Sequence, residues 1–282
     1  MARLTGASYA KITVAILLVA ALFAIAGLGV GCSSWQLRFG GDTMIGSATV
    51  AAGDVKNIEI DWAAGSVQMH VVESDSDEIE LIETGDGITK GREMRWKVSG
   101  DTLFVDYGGW FSCFSWGSKS LEVRVPQKYA SALGFVNIDG ASGYYNVTGI
   151  GCSKLDVDLA SGELEANDIS AGELNIDVAS GKAYANGVVS DTLKTHVASG
   201  RIEVTCNDVC PRTVDADMAS GTIAVSIPDN DGFTAYVDKA SGSFESQFET
   251  VQRGDGTYVH KNGGATIDVD MASGKFILSR TA

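Results

Sequence analysis

The chain has 282 residues, of which 45% are hydrophobic, so it can bury a core and is not a disordered protein. Its formal net charge is −15. This acidic balance argues against nucleic-acid binding, because phosphate backbones would be repelled. Glycine is frequent at 34 residues and proline is rare at three, which is typical of many short strands joined by tight turns.

The first predicted element is a transmembrane helix over residues 12–31. No residue from Ile12 to Val30 is charged, and a helix of this length, rising about 1.5 Å per residue, spans roughly one hydrocarbon core. Arg3 and Lys11 precede the segment, so the positive-inside tendency places residues 1–11 in the cytoplasm. We therefore predict a single-pass cell-membrane protein with an extracytoplasmic C-terminal domain.

Two alternatives to this anchor stay open. A secretory signal could be cleaved after the small residues that end the segment. A lipid could instead be attached at Cys32, where Gly31 fits a lipobox but Gly29 replaces its usual Leu. We predict residues 32–44 as the linker to the exported part.

Residues 45–130 are predicted to be the strand-rich N-terminal part of a β-solenoid, with an aromatic insertion at 108–117. The aromatic side chains concerned are those of Trp110, Phe111, Phe114 and Trp116. Exposed aromatic residues at this density mark a contact surface for a partner or for the bilayer. The alternative, which we favour, is a hydrophobic plug over an open end of the solenoid.

An Ala-Ser-Gly tripeptide recurs through residues 131–282, the second part of the predicted solenoid. Apolar and polar residues alternate on both sides of each copy, which indicates strand, tight turn and strand with one buried face. Glycine at the third position suits a backbone with positive φ. The turn-forming glycines are Gly143, Gly162, Gly181, Gly200, Gly221, Gly242 and Gly274.

The spacing of these glycines predicts an all-β, single-chain β-solenoid or β-helix with coils of about 19–21 residues. Successive glycines lie 19, 19, 19, 21, 21 and 32 residues apart. One two-stranded unit cannot bury its apolar face alone, whereas units stacked about 4.8 Å apart form a continuous core. A β-sandwich also has regularly spaced strands, but its turns have no reason to share one tripeptide.

With these motifs the chain resembles the bacterial "putative adhesin" family of β-strand-repeat domains, whose biochemical function is unknown. The resemblance rests on the Asp-x-Ala-Ser-Gly repeats from Asp139 to Gly274 and on Leu121–Pro126 before them. It implies a location in the cell envelope and no established catalytic residues.

An acidic residue lies two positions before most Ala-Ser-Gly copies. These residues are Asp139, Asp158, Asp177, Asp217, Asp238 and Asp270. In stacked coils they would form an acidic ladder with carboxylates about 5 Å apart, where like charges repel by roughly 1 kcal/mol in water. We expect each carboxylate to accept hydrogen bonds from its own turn. The alternative is a Ca²⁺ site built from paired oxygens such as those of Asp156 and Asp158; no other metal or cofactor is expected.

His196 replaces the acidic residue in the middle repeat, between Asp177 and Asp217. A histidine there interrupts the row of carboxylates, which weakens the calcium alternative. Flanking carboxylates favour the protonated imidazole, so we expect His196 to hold its proton more tightly than a free histidine does.

Four cysteines lie beyond residue 32, an even number compatible with disulfides in an oxidising compartment. Cys206 and Cys210 could staple one loop. Pairing of Cys113 with Cys152 would then follow by elimination, although all four thiols would be free in a reducing niche. Their spacing does not fit a zinc site.

The 32-residue gap between the last two glycines predicts an extra hairpin at about residues 246–264. Arg253, Gly254 and Asp255 lie at its tip. The tripeptide resembles an integrin-binding motif, but Gly-Asp is also ordinary turn chemistry, which we favour.

The sequence contains no nucleophile elbow, phosphate-binding loop or zinc-protease motif. We therefore predict a non-enzymatic protein for binding, adhesion or cell-envelope scaffolding, with an unknown protein or glycan as its ligand. One alternative is a carbohydrate-active enzyme that uses paired Asp residues on a solenoid face. Another is an envelope-stress sensor that acts with a membrane partner.

Overall fold

The protein, in a computed structural model, consists almost entirely of β-strands within the residues that the structure describes. These are residues 43–86, 88–108 and 118–281. The predicted anchor at 12–31, Cys32 and the aromatic run with Cys113 lie outside them. Across the described ranges, no helix is long and apolar enough to cross a bilayer.

The strands are numbered in chain order through the described residues. The N-terminal part contains β1 (Met44–Ile45), β2 (Ala48–Ala51), β3 (Asn57–Trp62), β4 (Gly65–Val72), β5 (Glu78–Thr84), β6 (Arg95–Ser99), β7 (Thr102–Asp106) and β8 (Lys119–Pro126). The repeat part contains β9 (Leu133–Gly140), β10 (Tyr144–Thr148), β11 (Gly151–Asn167), β12 (Ser170–Cys206), β13 (Thr213–Ile227), β14 (Gly232–Lys239), β15 (Ser243–Ser246), β16 (Val251–Gln252), β17 (Thr257–Lys261), β18 (Ala265–Met271) and β19 (Lys275–Arg280). A 3-10 turn at Ala52–Asp54 follows β2, and a short helix, α1 (Gln127–Ala130), follows β8.

Each coil gives one strand to each of two parallel ladders, and the corner between them carries the Ala-Ser-Gly tripeptide. The first ladder contains the segments before the corners and the second ladder the segments after them. Alternate side chains of both ladders point inward, as at Leu155, Val157 and Leu164, which are fully buried. They belong to one hydrophobic core. The all-β prediction is thus confirmed, with coils that stack through parallel pairing.

The coils follow the order of the chain in the middle of the stack but not at its ends. From β9 through β11 and β12 to β13, each coil pairs with the next. β13 then pairs with β18, and β14 pairs with the far side of β18. At the other end β3 likewise lies between β7 and β9. The last coil of the chain is therefore inserted between two earlier ones.

Antiparallel strands and aromatic side chains cover the ends of the stack. β6 pairs with the outer edge of β7, β5 with that of β8, and β17 with that of β14. The outermost strands β1 and β16 are two residues long, and short edges of this kind discourage unwanted strand pairing. Inside the C-terminal end, the ring of Phe233 contacts those of Phe248 and His260, and the ring of Phe244 stacks between Tyr258 and Phe276.

The corner glycines form one column, in which each glycine faces the carbonyl oxygen of the glycine in the neighbouring coil. Even at Gly274, the least crowded of the seven corners, an added Cβ would lie 2.6 Å from the oxygen of Gly221. Positive φ does not explain every member, because the φ angles of Gly181 and Gly200 lie outside the positive region. The expectation based on φ alone is therefore wrong at these two positions. What all seven share is the close approach of the next coil.

The substitution Gly181→Ala tests this contact without adding backbone strain. Its Cβ would meet the backbone of Gly162, so we expect a loss of at least about 3 kcal/mol in the free energy of unfolding. Gly254→Ala is the control, because Gly254 has φ +75° but open space around it, and it should cost only about 1 kcal/mol. Equal losses in a urea titration of the two variants would contradict the close-approach account.

Candidate functional site

The side chains two positions before the corners, all but one of them acidic, form one column on the outer face of the first ladder. This column is the acidic ladder that the sequence predicts, and it has more members than were predicted. Along the stack its members are Asp106, Asp61, Asp139, Asp158, Asp177, His196, Asp217, Asp270 and Asp238. The structure thus brings together the six acids predicted from the repeat, with Asp270 and Asp238 exchanged relative to chain order. Asp61 precedes the related tripeptide Ala63-Ala64-Gly65, whereas sequence reasoning missed Asp106 because no such corner follows it.

The carboxylates at the centre of the ladder bond to side chains rather than to their own turns. The Asn175 amide donates to Asp156 Oδ1 at 2.7 Å and to Asp177 Oδ2 at 3.1 Å. The Asn137 amide donates to Asp139 Oδ2 at 3.0 Å in the same way. The expectation of bonds to turn amides is therefore wrong for Asp177, whereas Asp106 at the end of the ladder does accept one from Gly108. Each side chain stands out from its strand two residues before the corner, where it faces its neighbours in the column.

His196 lies between two carboxylates of the ladder. Its Nδ1 is hydrogen-bonded to Asp177 Oδ1, and its Nε2 lies 3.5 Å from Asp217 Oδ2. Burial alone would lower the pKa of His196, but the hydrogen bond and charge of Asp177, together with the charge of Asp217, raise it above its usual value. This agrees with the prediction that His196 holds its proton tightly.

The pKa values of the neighbouring carboxyl groups of Asp158 and Asp177 are shifted in opposite directions. Burial, followed by the charge of Asp177 and a hydrogen bond with it, raises the pKa of Asp158 to about 8. Burial also acts to raise the pKa of Asp177, but bonds from His196 and Asp158 outweigh it and lower that pKa. Burial raises the pKa of Asp217 to about 6. A proton on Asp158 and a protonated His196 therefore relieve the repulsion within the ladder.

Two lysines bridge neighbouring coils beside the ladder. Lys154 Nζ lies 2.9 Å from Asp156 and 3.5 Å from Glu173, which is also 3.1 Å from Lys194 Nζ. The side chains of Lys154, Lys194 and Glu173 are about one-third exposed, so each of their pairs is worth little by itself. Together they offset part of the negative charge on this face.

The ladder does not fit the calcium alternative well. Asp156, Asp158 and Asp177 each offer an oxygen, and these atoms lie within 4.8 Å of one another. Ca²⁺ takes six to eight oxygen ligands, and Asn175 presents its amide nitrogen, not its oxygen, to this group. A hydrogen-bond donor in that place stabilises the ionised carboxylate of Asp177, as a cation would.

A buried ion pair near the N-terminal end escaped the sequence analysis. Lys119 is 1% exposed, and its Nζ donates to Glu83 Oε1 and to the Arg92 carbonyl, both at 2.7 Å, and to the Tyr107 carbonyl. The same ammonium lies 5.3 Å and 4.1 Å from the ring centroids of Trp62 and Tyr107. Three acceptors and two rings satisfy the ammonium group, so Lys119 joins the end strands to the stack.

The predicted staple between Cys206 and Cys210 is not formed, since both thiols are free, as is that of Cys152. The Cys206 side chain belongs to the core at the end of β12, whereas the Cys210 thiol donates a hydrogen bond to the Pro211 carbonyl oxygen. Burial raises the pKa of Cys206 to about 12 and that of Cys210 to about 11. The pairing of Cys113 with Cys152 stays a prediction, because Cys113 lies outside the described residues.

Two other predicted surfaces stand apart from the ladder. Arg253, Gly254 and Asp255 are exposed in the turn between β16 and β17, where the Arg253 amide donates to the Thr257 carbonyl at 2.8 Å. The run from Trp110 to Trp116 lies outside the described residues, so its role as plug or contact surface stays a prediction.

Comparison with protein families gives one match. The chain matches the family described as Toastrack DUF4097 over residues 55–279, a span that contains the whole acidic ladder and the column of corner glycines. None of the curated proteins matches the chain.

Three solved bacterial structures are similar to the chain. A "putative cell adhesion protein" from Clostridium sporogenes has 10% identity and a TM-score of 0.39, over 85% of this chain and 100% of its own. A "putative adhesin" from Bacteroides fragilis has 12% identity and a TM-score of 0.41, over 84% and 97%. A "putative adhesin" from Parabacteroides distasonis has 14% identity and a TM-score of 0.37, over 86% and 98%.

The ionisation of the ladder predicts that stability falls as pH rises from 5 to 8.5. Raised pKa values at Asp158 and His196 mean that the folded chain binds more protons than the unfolded chain in this range. Asp158→Asn should therefore increase the free energy of unfolding at pH 8.5 by about 2 kcal/mol, which raises the melting temperature. At pH 5 the same substitution should change the melting temperature little. His196→Gln should destabilise most at pH 5.

The exposed Asp255→Asn, in the turn beyond β16, is the matched control and should leave the pH dependence unchanged. An NMR titration of His196 provides the direct measurement. A pKa below that of a free histidine, or an Asp158→Asn variant whose stability changes with pH as the wild type does, would contradict the account.

Proposed function

The chain belongs to the Toastrack DUF4097 family, and we propose that it is a non-enzymatic membrane-anchored protein that presents its stacked coils to a ligand outside the cell. The uncharged segment at residues 12–31, with Arg3 and Lys11 before it, supports the anchor and its orientation. Binding, adhesion or scaffolding in the cell envelope is the activity that this arrangement suits.

The observation that carries the proposal is the unbroken register of the acidic ladder. Eight Asp side chains stand in one column along the first ladder. Their positions are fixed by parallel pairing, and at the centre also by bonds to Asn175 and His196. A rigid face of this charge selects ligands that carry positive groups or many hydroxyl donors. A basic protein segment or a glycan fits that description.

A carbohydrate-active enzyme is the second candidate, and one observation favours it. A raised pKa at Asp158 beside a lowered pKa at Asp177 is the division expected of an acid and a neighbouring carboxylate in glycoside hydrolysis. Both side chains, however, lie directly opposite each other on paired strands and bond to each other. We favour binding, because a pair engaged in this way is not aimed at a substrate bond.

The test applies the purified full chain to arrays of glycans and matrix proteins, with and without Ca²⁺. We expect binding that weakens at high salt. The double variant Asp217→Asn/Asp270→Asn, which neutralises two adjacent members of the ladder, should bind at least about tenfold more weakly, a loss of about 1.4 kcal/mol. Glu203→Gln on the second ladder is the matched control and should bind normally.

Two results would contradict the proposal. One is a bound ligand whose affinity is the same for the double variant and the control. The other is release of reducing sugar from an array glycan that stops in Asp158→Asn, which would favour the enzyme instead.

A further inference from the structure

One end of the stack exposes apolar side chains on its two outermost strands. The described residues include six exposed large hydrophobic side chains, and three belong to β1 and β6, namely Met44 at 58%, Ile45 at 66% and Val98 at 37%. β1 and β6 are directly paired, with Met44 opposite Trp96, so Val98 is a diagonal neighbour of Met44 at about 7–8 Å. We use the name N-terminal edge for β1 and β6.

The N-terminal edge is also basic, in contrast to the rest of the chain. Residues 88–100 contain four basic side chains and one acidic side chain, whereas the whole chain carries −15. Lys90 and Arg92 are exposed in the loop before β6. On β6 itself the Lys97 ammonium lies 5.7 Å from the ring of Phe104, and the charge of Arg95 acts on Asp106. Apolar side chains with a positive surround are typical of surfaces that meet anionic bilayers.

The path of the chain places this edge next to the predicted anchor. β1 begins 13 residues after Gly31, and a chain of that length reaches at most about 45 Å. The first ladder counts thirteen strands from β1 to β16, because β12 passes through it twice. At about 4.8 Å per strand, β16 lies about 58 Å from β1. The tether therefore holds the N-terminal edge, with the Arg253 turn at the far end.

From these observations we infer that the N-terminal edge rests on the anionic headgroups of the bilayer. Met44, Ile45 and Val98 enter between the headgroups, while Lys90, Arg92 and Lys97 face the phosphates. An upright stack also keeps most of the acidic ladder, from Asp139 to Asp238, away from the anionic surface, which would repel it. The inference rests on the anchor of the proposed function and deepens it, because the bilayer then holds the acidic ladder perpendicular to the membrane surface.

Hydrogen–deuterium exchange on the full chain tests this orientation. The chain is reconstituted in nanodiscs of phosphatidylglycerol, in nanodiscs of phosphatidylcholine and in detergent micelles. We expect backbone exchange over residues 43–51 and 95–99 to slow at least about threefold in phosphatidylglycerol relative to detergent. Residues 247–256 at the far end should exchange equally in all three.

Substitutions separate bilayer contact from other causes. Ile45→Asp with Lys97→Glu should abolish the slowing, whereas Val251→Asp, which changes a side chain that is 64% exposed on the opposite edge, should not. Flotation of the same chain with liposomes is measured in parallel. A chain that does not float contradicts both the anchor and the inference.

Two further outcomes would overturn the bilayer contact of the N-terminal edge without contradicting the anchor. If the chain floats but its N-terminal edge exchanges equally in lipid and detergent, the inference is overturned and the anchor stands. If the edge is slowed in detergent too, and more so at higher protein concentration, a second copy of the chain covers it, which also overturns the inference.

Discussion

The approach of each corner glycine to the carbonyl oxygen of the next is the contact on which the whole structure depends. Without a Cβ at positions such as Gly162 and Gly181, neighbouring coils come together at the spacing of paired strands. That spacing fixes the register, and the register superposes Asp158 on Asp177. The acidic ladder is thus a consequence of the glycine column. Its repulsion is then relieved by a proton on Asp158 and by His196.

The repeat allowed the sequence to predict the two columns but not the bonds within them. Identical tripeptides at 19-residue intervals indicate stacked coils, so the place of His196 between Asp177 and Asp217 could be foreseen. The partners of the carboxylates could not, because a bond from Asn175 across two coils depends on side-chain directions. Lys119 was detectable in principle, since it alternates in phase with the inward Leu121 and Val123, but periodicity does not reveal Glu83 as its partner.

The ends of the stack follow a different rule from its middle. Local periodicity does not indicate which coils become neighbours. The insertion of β18 between β13 and β14 therefore could not be predicted from the sequence. An open end exposes unpaired backbone groups and core side chains, and antiparallel strands cover both. At one end these strands are held by the buried Lys119 and its bond to Glu83. At the other end they are held by the ring contacts among Phe233, Phe248 and His260. The two ends thereby acquire distinct surfaces, one basic and one with the exposed turn.

Contacts between backbone atoms of the corner glycines test the central claim most directly. In a uniformly labelled sample, the account predicts nuclear Overhauser effects from Gly274 to both Gly221 and Gly242, its neighbours in the glycine column. Effects between Gly221 and Gly242 without Gly274 would mean coils stacked in chain order. The absence of any effect among the three would mean that the glycines do not form a column, and either result would contradict the account.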